Sequence, residues 1–335
     1  MAEKLIEITR NGIVESIHNG DIAITNSRGK LLYYHGNPEK FTYFRSAAKP
    51  IQTINVIRSG AYEHFAFTDD EISIMCASHY GEPFHLKTVE SILKKINLNK
   101  DYVLSGTTTS LNPDYALQLA YQRAELNQLY SDCSGKHGGM LAVCQLKNYP
   151  LENYLHPSHP CQQEILEDLA YVSQMDKKDI HIGVDGCSAP VHALPLINMA
   201  IAYASFTSPS NLSDDYQEAA SIIFHAMNKH PEMISGTNGF CSRLIAASKN
   251  SLIGKMGAQG VYCVGIKNKD IGIAVKIEDG SMNVLAPVVL EVLSQLNLID
   301  NESLKELDDF RIIENKNDKG TIVGQIKPIF MLKKA

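Results

Sequence analysis

From Leu5 to His35 apolar and polar positions alternate. LIEITRNG, IVESIHNG, DIAITNSRGK and LLYYHG are short runs rich in β-branched residues, separated by Asn-Gly or Arg-Gly pairs. A two-residue period punctuated by such turn signals predicts an antiparallel meander. After Ser46 the period changes: AAKPIQTINVIRSG, DDEISIMCAS and PFHLKTVESILKKINL place apolar residues three and four apart, the spacing of one helix face. Residues from about 115 to 204 continue mainly helical between Gly- and Pro-bearing loops, and YQEAASIIFHAMNKHPEM adds an amphipathic helix that stops before Pro231. The strand rhythm then returns. GVYCVGIKNKDIGIAVKIEDG reads as a hairpin, PVVLEVLSQLNL as a helix and KPIFMLK as a last strand.

Strands at both ends with helices between them predict an α+β fold in a single domain over 1–335. Its antiparallel sheet is built mainly from 1–45 and 250–335, with flanking helices, and a helical lobe is inserted over about 65–245. A cleft is expected where sheet and lobe meet.

Composition narrows the chemistry. The chain is 44% hydrophobic and 20% charged, with no apolar run of about 18 residues that could span a bilayer, so no membrane segment is expected. MAEKLIEITRNG lacks the basic region and apolar block of a signal peptide, which makes the cytoplasm the expected location. The seven cysteines are scattered and odd in number, a pattern of reduced thiols in a chain too long to need disulfides. A net charge of −6 without a basic stripe argues against a nucleic-acid partner and favours a small-molecule substrate.

FRSAAKP places Ser46 three residues before Lys49. A serine hydroxyl becomes a nucleophile when a nearby base takes its proton, and a lysine serves once desolvation or another cation lowers its pKa. At the first turn of a helix the pair shares a face, and the helix dipole stabilises negative charge on the serine. The spacing occurs three times, at Ser27/Lys30, Ser46/Lys49 and Ser91/Lys94. The first lies in a turn of the meander and the third on a solvated helix face. Only Ser46/Lys49 sits where strand gives way to helix, and there an N-cap serine with a surface lysine is the alternative.

Four other segments bear on that choice. CASHYGEP carries Ser78 and His79 after an apolar helix, where a plain helix end is the alternative. SDCSGKHGGM packs Cys133, Lys136 and His137 among glycines, but it lacks the leading glycine and trailing hydroxyl of a phosphate loop. GVDGCSAP holds Asp185 and Cys187 in a tight turn, and GKMGAQG offers Lys255 just before the C-terminal hairpin. A Ser-x-x-Lys followed much later by a Lys-x-Gly strand follows the order seen in penicillin-binding proteins and class A β-lactamases.

Together, FRSAAKP, CASHYGEP, CSGKHGGML, VDGCSAP and GKMGAQG resemble the asparaginase II family of the Rhizobium etli type over almost the whole chain. The resemblance implies a serine β-lactamase/glutaminase-like fold, an L-asparagine amidohydrolase, a zinc cofactor and a homodimer. It makes Ser46 the nucleophile on the side-chain amide carbon, Lys49 its base, and Ser78 with Lys255 the proton relay. Cys133, Lys136 and Cys187 become zinc ligands, with lysine bound as the neutral amine. Without the resemblance, two distant cysteines read as buried thiols.

Further assignments to the substrate are Asp185 for the α-amino group, Arg45 for the α-carboxylate or a neighbour, His137 beside the metal segment, and Cys241 in the pocket. His156, His159 and Cys161 in HPSHPC read as a proline-stiffened loop. LSGTTTSLNPDY departs from the Cys-Gly-x-His-x-Pro element usual there, which puts substrate preference in question. Glutamine or a β-aspartyl compound as substrate, and a non-catalytic amino-acid-binding protein of the same fold, are the competing readings.

Overall fold

The alternating N-terminal runs become β1 (Glu3–Arg10), β2 (Ile13–Thr25) and β3 (Leu31–His35), antiparallel neighbours in a computed structural model that describes all 335 residues. The meander is correct in outline, but Asn19-Gly20 is not a turn. β2 runs through it as one 13-residue strand. A Cβ on Gly20 would stand 2.3 Å from the Lys276 carbonyl oxygen and 2.4 Å from Leu5 Cδ1, so this glycine serves a close approach between strands. Asn11-Gly12, by contrast, is a true turn, with both residues at positive φ.

The sheet closes between the two chain ends. β7 (Leu252–Gly257), β8 (Val261–Ile266) and β9 (Ile271–Ile277) form antiparallel ladders, and β9 joins β2 with Gly20 opposite Ile277. β10 (Ile313–Lys316) and β11 (Ile322–Pro328) extend the other side, where β11 pairs with β1, and β12 (Lys333–Lys334) pairs with β3. The main path is β10-β11-β1-β2-β9-β8-β7, so the α+β fold with an antiparallel sheet from both termini is as expected. KPIFMLK is not one strand: it runs from the end of β11 to the start of β12.

The helix Leu196–Thr207 is buried along nearly its whole length against β8, β9 and β2 on one side and the helix Pro160–Ser173 on the other. A helix apolar on all sides belongs inside, and this one ties sheet to lobe. Ser134–Lys147 is equally central, buried from Ser134 to Cys144. No helix is long and apolar enough to cross a membrane.

The middle of the chain is less helical than expected. β4 (Phe41–Tyr43), β5 (His181–Val184) and β6 (Pro190–Pro195) form a second, three-stranded antiparallel sheet in the order β4-β6-β5. It sets the end of β4, which leads into Arg45 and Ser46, beside the β5–β6 turn that carries Asp185 and Cys187.

Candidate active site

Ser78 is the meeting point of two lysines. Lys49 Nζ lies 3.0 Å and Lys255 Nζ 2.9 Å from Ser78 Oγ. Both amines are 1% exposed. Lys49 also donates to the Ala77 carbonyl at 2.5 Å and faces Asp132 Oδ2 at 3.5 Å, while Lys255 donates to the Met256 carbonyl at 2.8 Å. Burial pushes Lys255 down to about 8, with the Lys49 charge adding to the effect against opposition from Cys241. Burial also opposes charge on Lys49, but the negative charge of the Cys133–Cys187 pair, with Asp132, outweighs it and holds that ammonium above its ordinary value. Lys255 is therefore the amine closer to neutrality.

Ser46 follows a backbone constraint. Arg45 has φ of +52° at the corner between β4 and a 3-10 turn over Arg45–Ala48, an unfavourable conformation for a residue with a side chain. β7 presses on this corner: a Cβ on Gly257 would lie 2.8 Å from the Phe44 carbonyl oxygen and 3.1 Å from Arg45 Cβ. That contact explains the second glycine of GKMGAQG. Arg45 and Asp185 are bonded to each other, with Nε and Nη2 at 3.0 and 2.8 Å from Asp185 Oδ1. Together they present a cation and an anion side by side on the wall.

The thiols converge as well. Cys133 and Cys187 are buried in mutual contact, and Lys136 Nζ sits 3.2 Å from Cys187 Sγ. The Cys133 thiol, bonded to Cys187 and aided by Lys136, pulls the Cys187 pKa far down, so Cys187 carries the negative charge of the pair. The same bond and burial push Cys133 up. Burial opposes the charge of Lys136, but the two sulfurs overcome it and raise its pKa. His137 donates or accepts at Tyr154 Oη, 2.6 Å from Nδ1, and its buried Nε2 has no partner.

No group of three or more His, Cys, Asp or Glu side chains gathers as a metal site. The two sulfurs and one amine nevertheless form a compact set of soft and nitrogen donors of the kind zinc takes, so the residues fit that metal. His137, expected at the substrate, is fully buried behind the thiols instead of on the cavity wall.

These groups surround a cavity of 550 Å³ whose wall includes Arg45, Ser46, Ser78, Cys133, Asp185 and Lys255. Cys241 reaches it too, and its sulfur accepts the Met256 N–H at 3.3 Å, which braces the strand that carries Lys255. The divergent loop contributes Ser105, Thr108 and Leu111. Sequence reasoning missed Asp132, which touches both Lys49 and Cys133 at 3.5 Å. Its adjacency to Cys133 was the available signal. His79 is structural: it bonds Ser134 Oγ at 2.8 Å and the Gly81 N–H at 3.1 Å, which fixes the turn after Ser78. His159 caps the helix Pro160–Ser173, away from any metal. All seven cysteines are free and buried.

The family described as L-asparaginase II matches residues 6–328. The chain belongs to the L-asparaginase II family. This membership makes it an amidohydrolase acting on a small molecule. No curated protein matches the amidohydrolase in sequence. Among solved structures it is similar to a β-lactamase from Mycobacterium bovis, at 14% identity and a TM-score of 0.43, over 82% of this chain and 94% of that one. A putative β-lactamase from Bacteroides dorei is matched at 12% identity and a TM-score of 0.43, over 82% and 93%.

Proposed function

We propose that the amidohydrolase hydrolyses L-asparagine to L-aspartate and ammonia through an acyl-enzyme on Ser46. The observation that carries this reading is the unbroken path from Lys49 Nζ through Ser78 Oγ to Lys255 Nζ, at 3.0 and 2.9 Å, on the wall where Ser46 stands. Proton transfer needs groups within about this reach and a base near neutrality at working pH. Lys255, held near 8, takes the proton of Lys49 through Ser78, and the neutral Lys49 then accepts the proton of Ser46. Ser46 Oγ attacks the side-chain carbonyl carbon, the C–N bond breaks, and ammonia leaves with a proton returned along the same path. Water then hydrolyses the ester and restores the Ser46 hydroxyl.

The paired charges of Arg45 and Asp185 suit the α-carboxylate and α-ammonium of an amino acid, each substrate group facing its opposite. Cys133, Lys136 and Cys187 would hold zinc. Once bound, zinc supplies a fixed positive charge beside this amino-acid-binding wall and lets Lys136 bind as the neutral amine. Replacing Ser46 tests the proposal: Ser46→Ala should release no ammonia from asparagine and keep the wild-type circular dichroism spectrum. Turnover retained in that variant would remove Ser46 from the mechanism.

A further inference from the structure

The cavity is larger than asparagine needs. It measures 550 Å³. With the roughly 30 Å³ share of one liquid water as an upper allowance per non-hydrogen atom, asparagine fills about half of it, leaving room for on the order of nine more atoms. The surface of the extra wall is mainly apolar, although Ser105, Thr108, Ser131, Asp132, Ser235 and Gln259 also line it. Tyr80, Leu111, Phe240, Met256 and Met282 all line it, and three of them sit next to the chemistry in sequence or structure. Tyr80 follows Ser78 by two residues, Met256 follows Lys255 directly, and Phe240 precedes Cys241, whose sulfur holds the Met256 N–H.

The charges on the wall are already engaged. Arg45 is bonded to Asp185, and Lys255 to Ser78. No cationic side chain on the wall is left over for a second carboxylate. Leu111, from the divergent loop, is 55% exposed at the lip, a large apolar side chain open to whatever fills the cavity. Apolar walls with a few fixed polar groups are the usual form of a small-molecule pocket, in which the polar groups orient and the apolar surface selects.

We infer that the amidohydrolase acts on side-chain amides of asparagine whose nitrogen carries an apolar substituent, and that Leu111 helps to select it. This rests on the Ser46 reading above. The chemistry is unchanged in kind. Ser46 Oγ bonds to the amide carbon, the C–N bond breaks, and the leaving nitrogen departs as a primary amine after taking one proton from the Lys49–Ser78–Lys255 path. Water supplies the oxygen and the proton that release L-aspartate. Tyr80, Met256 and Leu111 contact the substituent while Arg45 and Asp185 hold the amino-acid end.

The test compares L-asparagine with N4-benzyl-L-asparagine on the purified full chain with zinc, reading the shared product, L-aspartate. The benzyl compound should have the higher kcat/KM, by about tenfold, the order that a few methylenes of pocket contact provide. A value equal to or below that of asparagine overturns the inference. β-Aspartyl-phenylalanine, which carries a similar ring with an added carboxylate, should be at least tenfold slower than the benzyl compound; equal or faster turnover overturns the restriction to an apolar amine.

Leu111→Ala should lower the benzyl compound's kcat/KM several-fold more than that of asparagine; an equal change for both removes Leu111 from selection. Aspartate from asparagine alone sinks this inference and leaves the Ser46 mechanism standing. Aspartate from neither amide sinks both.

Discussion

Lys255→Met should make the protein inactive and more stable at neutral pH. Lys255 is 1% exposed, and burial lowers its pKa from 10.5 to about 8. At about 1.4 kcal/mol per unit, its charged form costs the folded state about 3 kcal/mol at pH 7. Methionine fills the same space without charge, but it loses the hydrogen bonds to Ser78 Oγ and the Met256 carbonyl, each contributing about 1 kcal/mol. The net gain is about 1 kcal/mol. The sign of the pH dependence follows from the depressed pKa. Below about 8 the lysine is protonated in both states and the whole cost is present. Between about 8 and 10.5 the unfolded chain keeps its proton while the folded one has lost it, so wild-type stability rises with pH relative to the variant.

By pH 10 the cost has fallen to about 1 kcal/mol and the wild type should be the more stable protein. Urea unfolding of both proteins at pH 7 and pH 10, with ammonia release as the activity readout, checks this. A variant that is less stable at pH 7, or a difference that does not move between the two pH values, refutes the reasoning. The same group should appear in catalysis as a rise of kcat/KM with pH through about 8.

Other substitutions probe other parts of the argument. Gly257→Ala drives a Cβ to 2.8 Å from the Phe44 carbonyl oxygen and displaces the Arg45–Ser46 corner; kcat should fall at least tenfold and thermal unfolding should show a loss of about 1–3 kcal/mol. Arg58→Met strands Asp168, which is fully buried and bonded otherwise only to Tyr216. Urea unfolding should show a loss of about 3 kcal/mol at pH 8 and a smaller one at pH 5, because burial already lifts Asp168 to about 6 and protonation relieves it. Cys187→Ser removes the sulfur that bears the charge of the thiol pair; native mass spectrometry should find one zinc on the wild type and none on the variant.

The parts of this protein visible in its sequence are those with short-range signatures. β-Branched runs punctuated by turn pairs at both ends announced the sheet, although burial varies along it: β8 is buried throughout while Ile13–Ile17 of β2 and much of β11 are exposed. Asn19-Gly20 misled because the same dipeptide that makes a tight turn also permits the close crossing of Lys276 and Leu5. β5 was missed for a different reason: His181–Val184 is four residues long and its alternating Ile182 and Val184 are exposed, so the pattern is too short and marks no buried face. Within the site, each motif was legible as a segment, but its meaning depended on distance in space. Ser78 and Lys255 meet across 177 residues of chain, and Arg45 meets Asp185 across 140. Such encounters leave no local trace. Asp132 was overlooked because its one signal, the place beside Cys133, is weak until Lys49 is found next to it.

The closure of the sheet between the two chain ends also governs the life of the chain before it is complete. β1 and β2 leave the ribosome long before these partners: β2 must wait for β9 and β1 for β11, which ends at Pro328. For most of synthesis Ile22, Ala23 and Ile24 belong to a strand whose edge toward β9 is open, the kind of surface that captures another unfinished chain. Crowded polysomes should therefore be where this protein is most easily lost, and a chaperone that shields β1 and β2 should raise its yield more than one that acts on the finished chain.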